Sequence, residues 1–187
     1  MKVAIDPGHG MGNRKAGVYD PGKPHTVGTA TYQEADIVLG YANDLCTLLG
    51  NAGIDVFMTR TSNTDSAPLL QRADSAAAAN CTHYLSLHLN SPSKAGDTTT
   101  NGVETYYCDS VKDLPFARKL HQAVAEATCF TDRGVKERDL AVLHFAPGPV
   151  TLIELGFITN DADRTFLLDA SNRNAVCTAL FNALISP

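Results

Sequence analysis

No block of lysine and arginine occurs anywhere in the 187 residues. With 15 basic and 20 acidic side chains the net charge is −5, which argues against nucleic-acid binding through a basic patch. No apolar run reaches the length of a membrane span. There is no CxxC pair. The five cysteines (Cys46, Cys81, Cys108, Cys129 and Cys177) are scattered and odd in number. They predict free thiols, mostly in the core, in a chain made in a reducing compartment. A secretory leader is not expected, because Asp6-Pro7 interrupts Val3-Ala4-Ile5 before an h-region forms. Internal repeats, low-complexity tracts and an interdomain linker are missing as well. Residues 1–187 are therefore expected to form one domain. Its composition, 44% hydrophobic and 19% charged, is ordinary for a globular chain with a sizeable core.

Residues 2–5 read as a short buried strand. Residues 7–30, rich in Gly, Pro, Thr and Asn, read as a long loop at its end, and such loops are often functional. Ala35, Val38, Leu39, Ala42, Leu45 and Leu49 recur at helical steps and predict a helix over 32–51. Thr31 and Glu34 have the spacing of a capping box, and Gly50 and Gly53 mark the helix end. Further strands are predicted at 54–58, 83–89, 102–108 and 149–155, and helices at 68–79, 111–128, 161–168 and 171–185. A polar loop covers 91–101, and 135–143 contains extended stretches. Strands alternating with helices predict an α/β domain of three layers around a mostly parallel sheet.

Ligands of such sheets bind beyond the carboxyl ends of strands. The first strand leads into His9. "HYLSLHLN" leads into His88 and Asn90, and "VTLIELGFITN" into Glu154 and Asn160. The helix after the long loop begins near Glu34. Parallel strands would let these groups converge. Two histidines and a carboxylate with an open position for water form a typical catalytic zinc shell. A further carboxylate beside it could take the proton of the activated water.

Each residue also has a plainer reading. His9 could be an ordinary loop histidine. "GHGMG" does not make a phosphate loop, since Asn13 stands where a third glycine is needed. Glu34 is already explained as a helix cap. His88 shares a strand face with Tyr84 and Ser86 and could be a core histidine. Glu154 is harder to dismiss, because a carboxylate inside "VTLIELGF" is costly to bury unless paired, metal-bound or functional. His25, His83, His121 and His144 read as structural or surface residues.

In order, "VAIDPGHG", the Glu34 helix start, "YLSLHLNS" and "TLIELGFITN" resemble the motif set of the zinc-dependent N-acetylmuramoyl-L-alanine amidases of the amidase-3 type. "LLQRADSAAAAN" and "RGVKERDLAVLH" also look like segments of that family, so the resemblance covers essentially the whole chain. It implies a peptidoglycan hydrolase that cuts between the lactyl group of muramic acid and the L-alanine of the stem peptide. It makes His9, Glu34 and His88 the Zn²⁺ ligands and Glu154 the catalytic glutamate. Glu154 would act first as base toward water and then as acid toward the leaving amine. It also implies a twisted sheet of about six strands flanked by helices, and glycines beside His9 that leave room for ion and substrate.

Leu89, where the family usually has a small residue, and His144, where an arginine is common, depart from the pattern and bear on stem-peptide contacts. The expected partner is peptidoglycan, met by a monomer with no nucleic acid and no membrane span. A phage or prophage lysin, made in the cytoplasm and acting on the cell wall, is expected ahead of the excised domain of a larger enzyme. Two other readings compete. A zinc exopeptidase or deacylase would need a group for a free peptide terminus, for which Arg133 and Lys136 are candidates. A catalytically silent wall-binding module would have lost one of the four site residues, and all four are present.

Overall fold

The computed structural model describes residues 1–186. The chain runs β1 (Lys2–Pro7), β2 (Gly10–Met11), β3 (Tyr19–Asp20), β4 (His25–Val27), β5 (Ala30–Tyr32), α1 (Glu34–Asn51), β6 (Asp55–Met58), α2 (Arg72–Ala78) and β7 (His83–Asn90). It continues with β8 (Val103–Tyr107), α3 (Leu114–Thr128), β9 (Asp132–Glu137), β10 (Val150–Phe157), α4 (Asp161–Leu168) and α5 (Ala170–Ile185). Short 3₁₀ turns occupy Leu69–Gln71 and Ala141–Leu143.

Six strands form one sheet in the order β6-β1-β7-β10-β8-β9. Every neighbouring pair is parallel except β10 and β8. Strand alternation divides the core between the two faces. Val3, Ile5, Leu85, Leu87, Ile153 and Leu155 pack with the apolar sides of α1, α3 and α5. Ala4, Tyr84, Val150 and Leu152 face the other way, toward α2 and the Ala141–Leu143 turn. Asp6, Ser86, His88 and Glu154 continue this second set along the same strands. The polar groups thus emerge on the more thinly covered face, toward the strands' carboxyl ends. No helix among the described residues is long and apolar enough to cross a membrane.

Beneath them lies a buried polar network. Asp6, fully buried, accepts from Arg72 at 2.6 Å, Ser86 at 2.7 Å and Thr59 at 2.5 Å. Burial alone would raise its pKa. The Arg72 charge and the two hydroxyls outweigh burial and hold the carboxyl at about 2. Arg72 also donates to the carbonyls of Pro7 and His9, at 3.1 and 2.5 Å. Arg60, likewise buried, donates to Pro7 O at 2.9 Å, Gly8 O at 2.8 Å and Ala35 O at 2.7 Å. Two guanidinium groups therefore fix the backbone on either side of His9 and the start of α1. Arg72→Ala leaves Asp6 buried without its cation and is expected to cost about 3–5 kcal/mol, read from urea denaturation.

Several local expectations are corrected. Residues 7–30 are not plain loop: β2 pairs with β3, and β4 with β5, as two small antiparallel ribbons. The capping box is absent. Thr31 lies in β5 with its hydroxyl 3.0 Å from that of Thr26, and α1 starts at Glu34 after an N-cap Gln33 that makes no side-chain cap bond. The Thr31 side chain is committed to its ribbon, so it cannot reach the helix end. The helix foreseen at 68–79 is a 3₁₀ turn followed by α2, and that foreseen at 111–128 starts at Leu114. The strand foreseen within 135–143 runs instead over Asp132–Glu137, paired with β8. All five cysteines are free, but only Cys81 and Cys177 are buried.

Candidate metal centre

Four separate segments deliver the site. β1 ends at Pro7, and two residues later His9 adopts φ +62°. This left-handed conformation is uncommon outside glycine. His9 Nδ1 lies 3.1 Å from Asp20 Oδ2, and His9 Nε2 lies 3.1 Å from Glu34 Oε1. Burial lowers the basicity of His9, but Glu34 and then Asp20 outweigh it and raise its pKa. Asp20 also accepts from Asn13 at 2.7 Å and from the Gly22 amide at 3.0 Å. Burial is again overcome there, and the Asp20 carboxyl sits at about 2.

Glu34 is the first residue of α1 and is 2% exposed. A carboxylate is favoured at a helix N-terminus, but its oxygens are turned elsewhere. Oε1 accepts from the Leu89 amide at 3.1 Å and lies 2.9 Å from His88 Nδ1. Oε2 accepts from the Lys23 amide at 3.0 Å. Burial would raise its pKa, but the contacts with His88 and His9 hold it well below the usual carboxylate range. His88 reaches the same point from β7, its ring 5.0 Å from that of His9.

The atoms His9 Nε2, His88 Nδ1 and Glu34 Oε1 thus converge, and a ligand atom from each lies within 4.8 Å of the others. A tetrahedral cation with bonds of about 2.0–2.3 Å holds its ligands roughly 3.3–3.8 Å apart. Two imidazole nitrogens around one ionised, buried carboxylate oxygen have the chemistry and the spacing to hold such an ion.

Glu154 lies beside them. β10 is in register with β7 so that Glu154 is opposite His88, and on its other side it is opposite Glu104 of β8. Its Oε2 is buried and has no hydrogen-bond partner among the described residues. Burial, with the charges of Glu34 and Glu104, pushes its pKa well up. An orphaned buried carboxylate oxygen is costly, which marks Glu154 as a candidate functional group. A cleft of about 290 Å³ opens over it, lined among others by Asp6, Gly8, His9, Arg72, His88 and Glu154.

The glycines near His9 serve the protein itself before they serve an ion. A Cβ on Gly8 would lie 2.2 Å from the His88 ring, and one on Gly10 would lie 2.7 Å from Arg60. A Cβ on Gly22 would lie 2.5 Å from Glu34 Oε2. Other marked residues are engaged away from the three converging donors. Asn90 donates to Glu104 at 2.9 Å, and Asn160 caps α4. His121 is buried between Thr105 and Asp132, and His83 packs on Phe116. Arg133 and Lys136, the candidates for a free peptide terminus, both pair with Glu104, at 3.1 and 2.5 Å. Sequence reasoning missed Asp20, Arg60 and Arg72. Only Asp20 carried a signal, as an acidic residue within the long loop that also holds His9.

Around the carboxyl ends of an α/β sheet, two imidazoles and two carboxylates thus gather from β7, β10, the loop after β1 and the start of α1, a set of the kind that metal-dependent hydrolases use. The chain belongs to the amidase-3 family of N-acetylmuramoyl-L-alanine amidases, whose sequence profile matches residues 3–186. It is 29% identical to the probable cell wall amidase LytH of Staphylococcus epidermidis, over 97% of this chain and 56% of that one. It is 28% identical to the N-acetylmuramoyl-L-alanine amidase LytC of Bacillus subtilis, over 98% of this chain and 35% of that one. The chain therefore spans about half or less of these curated relatives' lengths. Its fold superposes on the catalytic domain of CwlV, an N-acetylmuramoyl-L-alanine amidase from Bacillus (Paenibacillus) polymyxa var. colistinus, with a TM-score of 0.83 at 29% identity, covering 98% of this chain and 95% of that one.

The Asp20 contact gives the first test of the centre. A carboxylate behind a ligating imidazole fixes its tautomer and raises its basicity. Asp20→Ala is expected to weaken metal affinity by about 10–100-fold, measured by competition with a chromophoric chelator, while the fold persists.

Proposed function

We propose that this chain is a single catalytic domain that hydrolyses the amide bond between N-acetylmuramic acid and the L-alanine of the peptidoglycan stem peptide. In this reading His9, Glu34 and His88 hold Zn²⁺, and Glu154 is the general base and acid. The observation that carries it is the unpartnered, buried Oε2 of Glu154 beside the three converging donors.

A nitrogen-nitrogen-oxygen donor set with room for a further ligand suits zinc. When bound, the ion would polarise the scissile carbonyl and make water acidic near pH 7. The remaining work falls to side chains. Glu154 takes a proton from water at its free oxygen. Its burial, which favours the protonated form, lets it keep that proton until the departing amine of L-alanine accepts it. Asp20 keeps His9 turned so that Nε2 faces Glu34. Arg60 and Arg72 keep the His9 loop and the first turn of α1 in place. The relatives named as amidases support the choice of bond.

The test is a paired assay on purified sacculi, before and after chelation with zinc added back. New N-terminal L-alanine should appear, stop on chelation and return with zinc. New reducing sugar, or a different new amine, would overturn the bond assignment.

A further inference from the structure

A second group of ligand-type side chains lies outside this centre. Cys108, Asp139 and His144 each place a ligand atom within 4.8 Å of the others. The fold explains the meeting. β8 and β9 are parallel neighbours with Tyr107 opposite Glu137. Cys108 directly follows β8, and Asp139 lies two residues past β9. The Ala141–Leu143 turn then brings His144 back, with Nε2 2.6 Å from Asp139 Oδ1.

We propose that Cys108, Asp139 and His144 form an accessory site for a thiophilic divalent cation of the zinc class. A thiolate sulfur, an imidazole nitrogen and a carboxylate oxygen are a borderline-soft set that selects such an ion over magnesium or calcium. Tetrahedral zinc places its ligands roughly 3.3–3.8 Å apart, so the His144–Asp139 pair would open from 2.6 Å while the widest separation, at most 4.8 Å, would close by about 1 Å or somewhat more. This adjustment is easy here, because the Asp139 and His144 side chains are 83% and 59% exposed. The local field also asks for a cation. Asp109 and Asp113 follow Cys108 in the chain, and Glu137 and Asp139 flank the end of β9, so acidic side chains gather around the group. Those negative charges favour a divalent cation, and a bound ion would hold the cysteine as its thiolate.

Neighbouring groups do not fill the position. Asp109 accepts from the amides of Val111 and Lys112, and Asp113 from those of Asp109 and Val150. Lys112 is drawn to Phe145 O at 2.8 Å, and Arg138 lies over the Tyr106 ring. Position gives the site a use. Leu140, Ala141 and Val142, between two of its ligands, line the cleft that holds His9 and Glu154. An ion on Cys108, Asp139 and His144 would pin this wall, whichever bond the cleft cleaves.

The experiment is a Co²⁺ titration of the metal-stripped chain. Thiolate ligation produces a near-ultraviolet sulfur-to-cobalt charge-transfer band, which a centre of two histidines and a glutamate cannot give. Two equivalents are expected to bind, with the band accompanying one of them. Cys108→Ser and His144→Ala should each remove the band and one equivalent, and leave the other equivalent bound. A native chain without the band, or a band that survives in Cys108→Ser, would overturn the proposal.

Discussion

Glu154→Gln is expected to cut amide hydrolysis by about 10²–10⁴-fold while bound zinc and the unfolding midpoint stay near native. Glutamine has the same shape and keeps the β10 position opposite His88. It cannot take a proton, so the loss falls on the chemical step and appears in kcat. The same variant should flatten the acid limb of the pH–rate profile. Below its pKa Glu154 is already protonated and cannot act as base, and burial has moved that pKa upward. Near-native turnover in this variant would remove Glu154 from the proposed role. A parallel loss of zinc would mean instead that Glu154 helps to hold the ion.

His9→Ala and His88→Ala are each expected to drop zinc well below one ion per chain after dialysis, and to abolish cleavage with it. Each removes a donor atom that lies 3.1 or 2.9 Å from Glu34 Oε1 and leaves two where three converged. The effect should exceed the roughly 10–100-fold weakening expected from losing a partner behind a ligand, such as Asp20. This ordering is the useful check. If Asp20→Ala lost more metal than His9→Ala, the imidazole would be serving a structural role. Full occupancy in either histidine variant would take that residue out of the shell.

Much of this arrangement was legible in the sequence, for identifiable reasons. Val3-Ala4-Ile5 and Val150 to Leu155 read as buried strands because both faces of the sheet are covered, and both strands lie inside it. Glu154 stood out because a charge within such a run conflicts with its surroundings. Glu34 was ambiguous, since Thr31 at capping distance offered a local explanation. The decision came from Thr26, five residues earlier in the chain, which pairs with Thr31 and leaves Glu34 to the histidines. The antiparallel placement of β8 between β10 and β9 has no signature in strand periodicity. Arg60 and Arg72 were hidden for a related reason. The backbone carbonyls that hold them near His9 and α1 lie 25 to 65 positions away, and carbonyls carry no sequence identity.

The register between β7 and β10 has a consequence for when the proposed centre becomes complete. His9, Glu34 and His88 have all left the ribosome before Glu154 is made. Until β10 lies between β7 and β8, the proposed proton acceptor has no place beside them. A slip of one residue would turn Glu154 to the opposite face, among Ile5 and Leu87. On the proposed reading, a chain in which β10 is not yet in place is expected to be silent, because the full set of four groups exists only once that central strand is inserted.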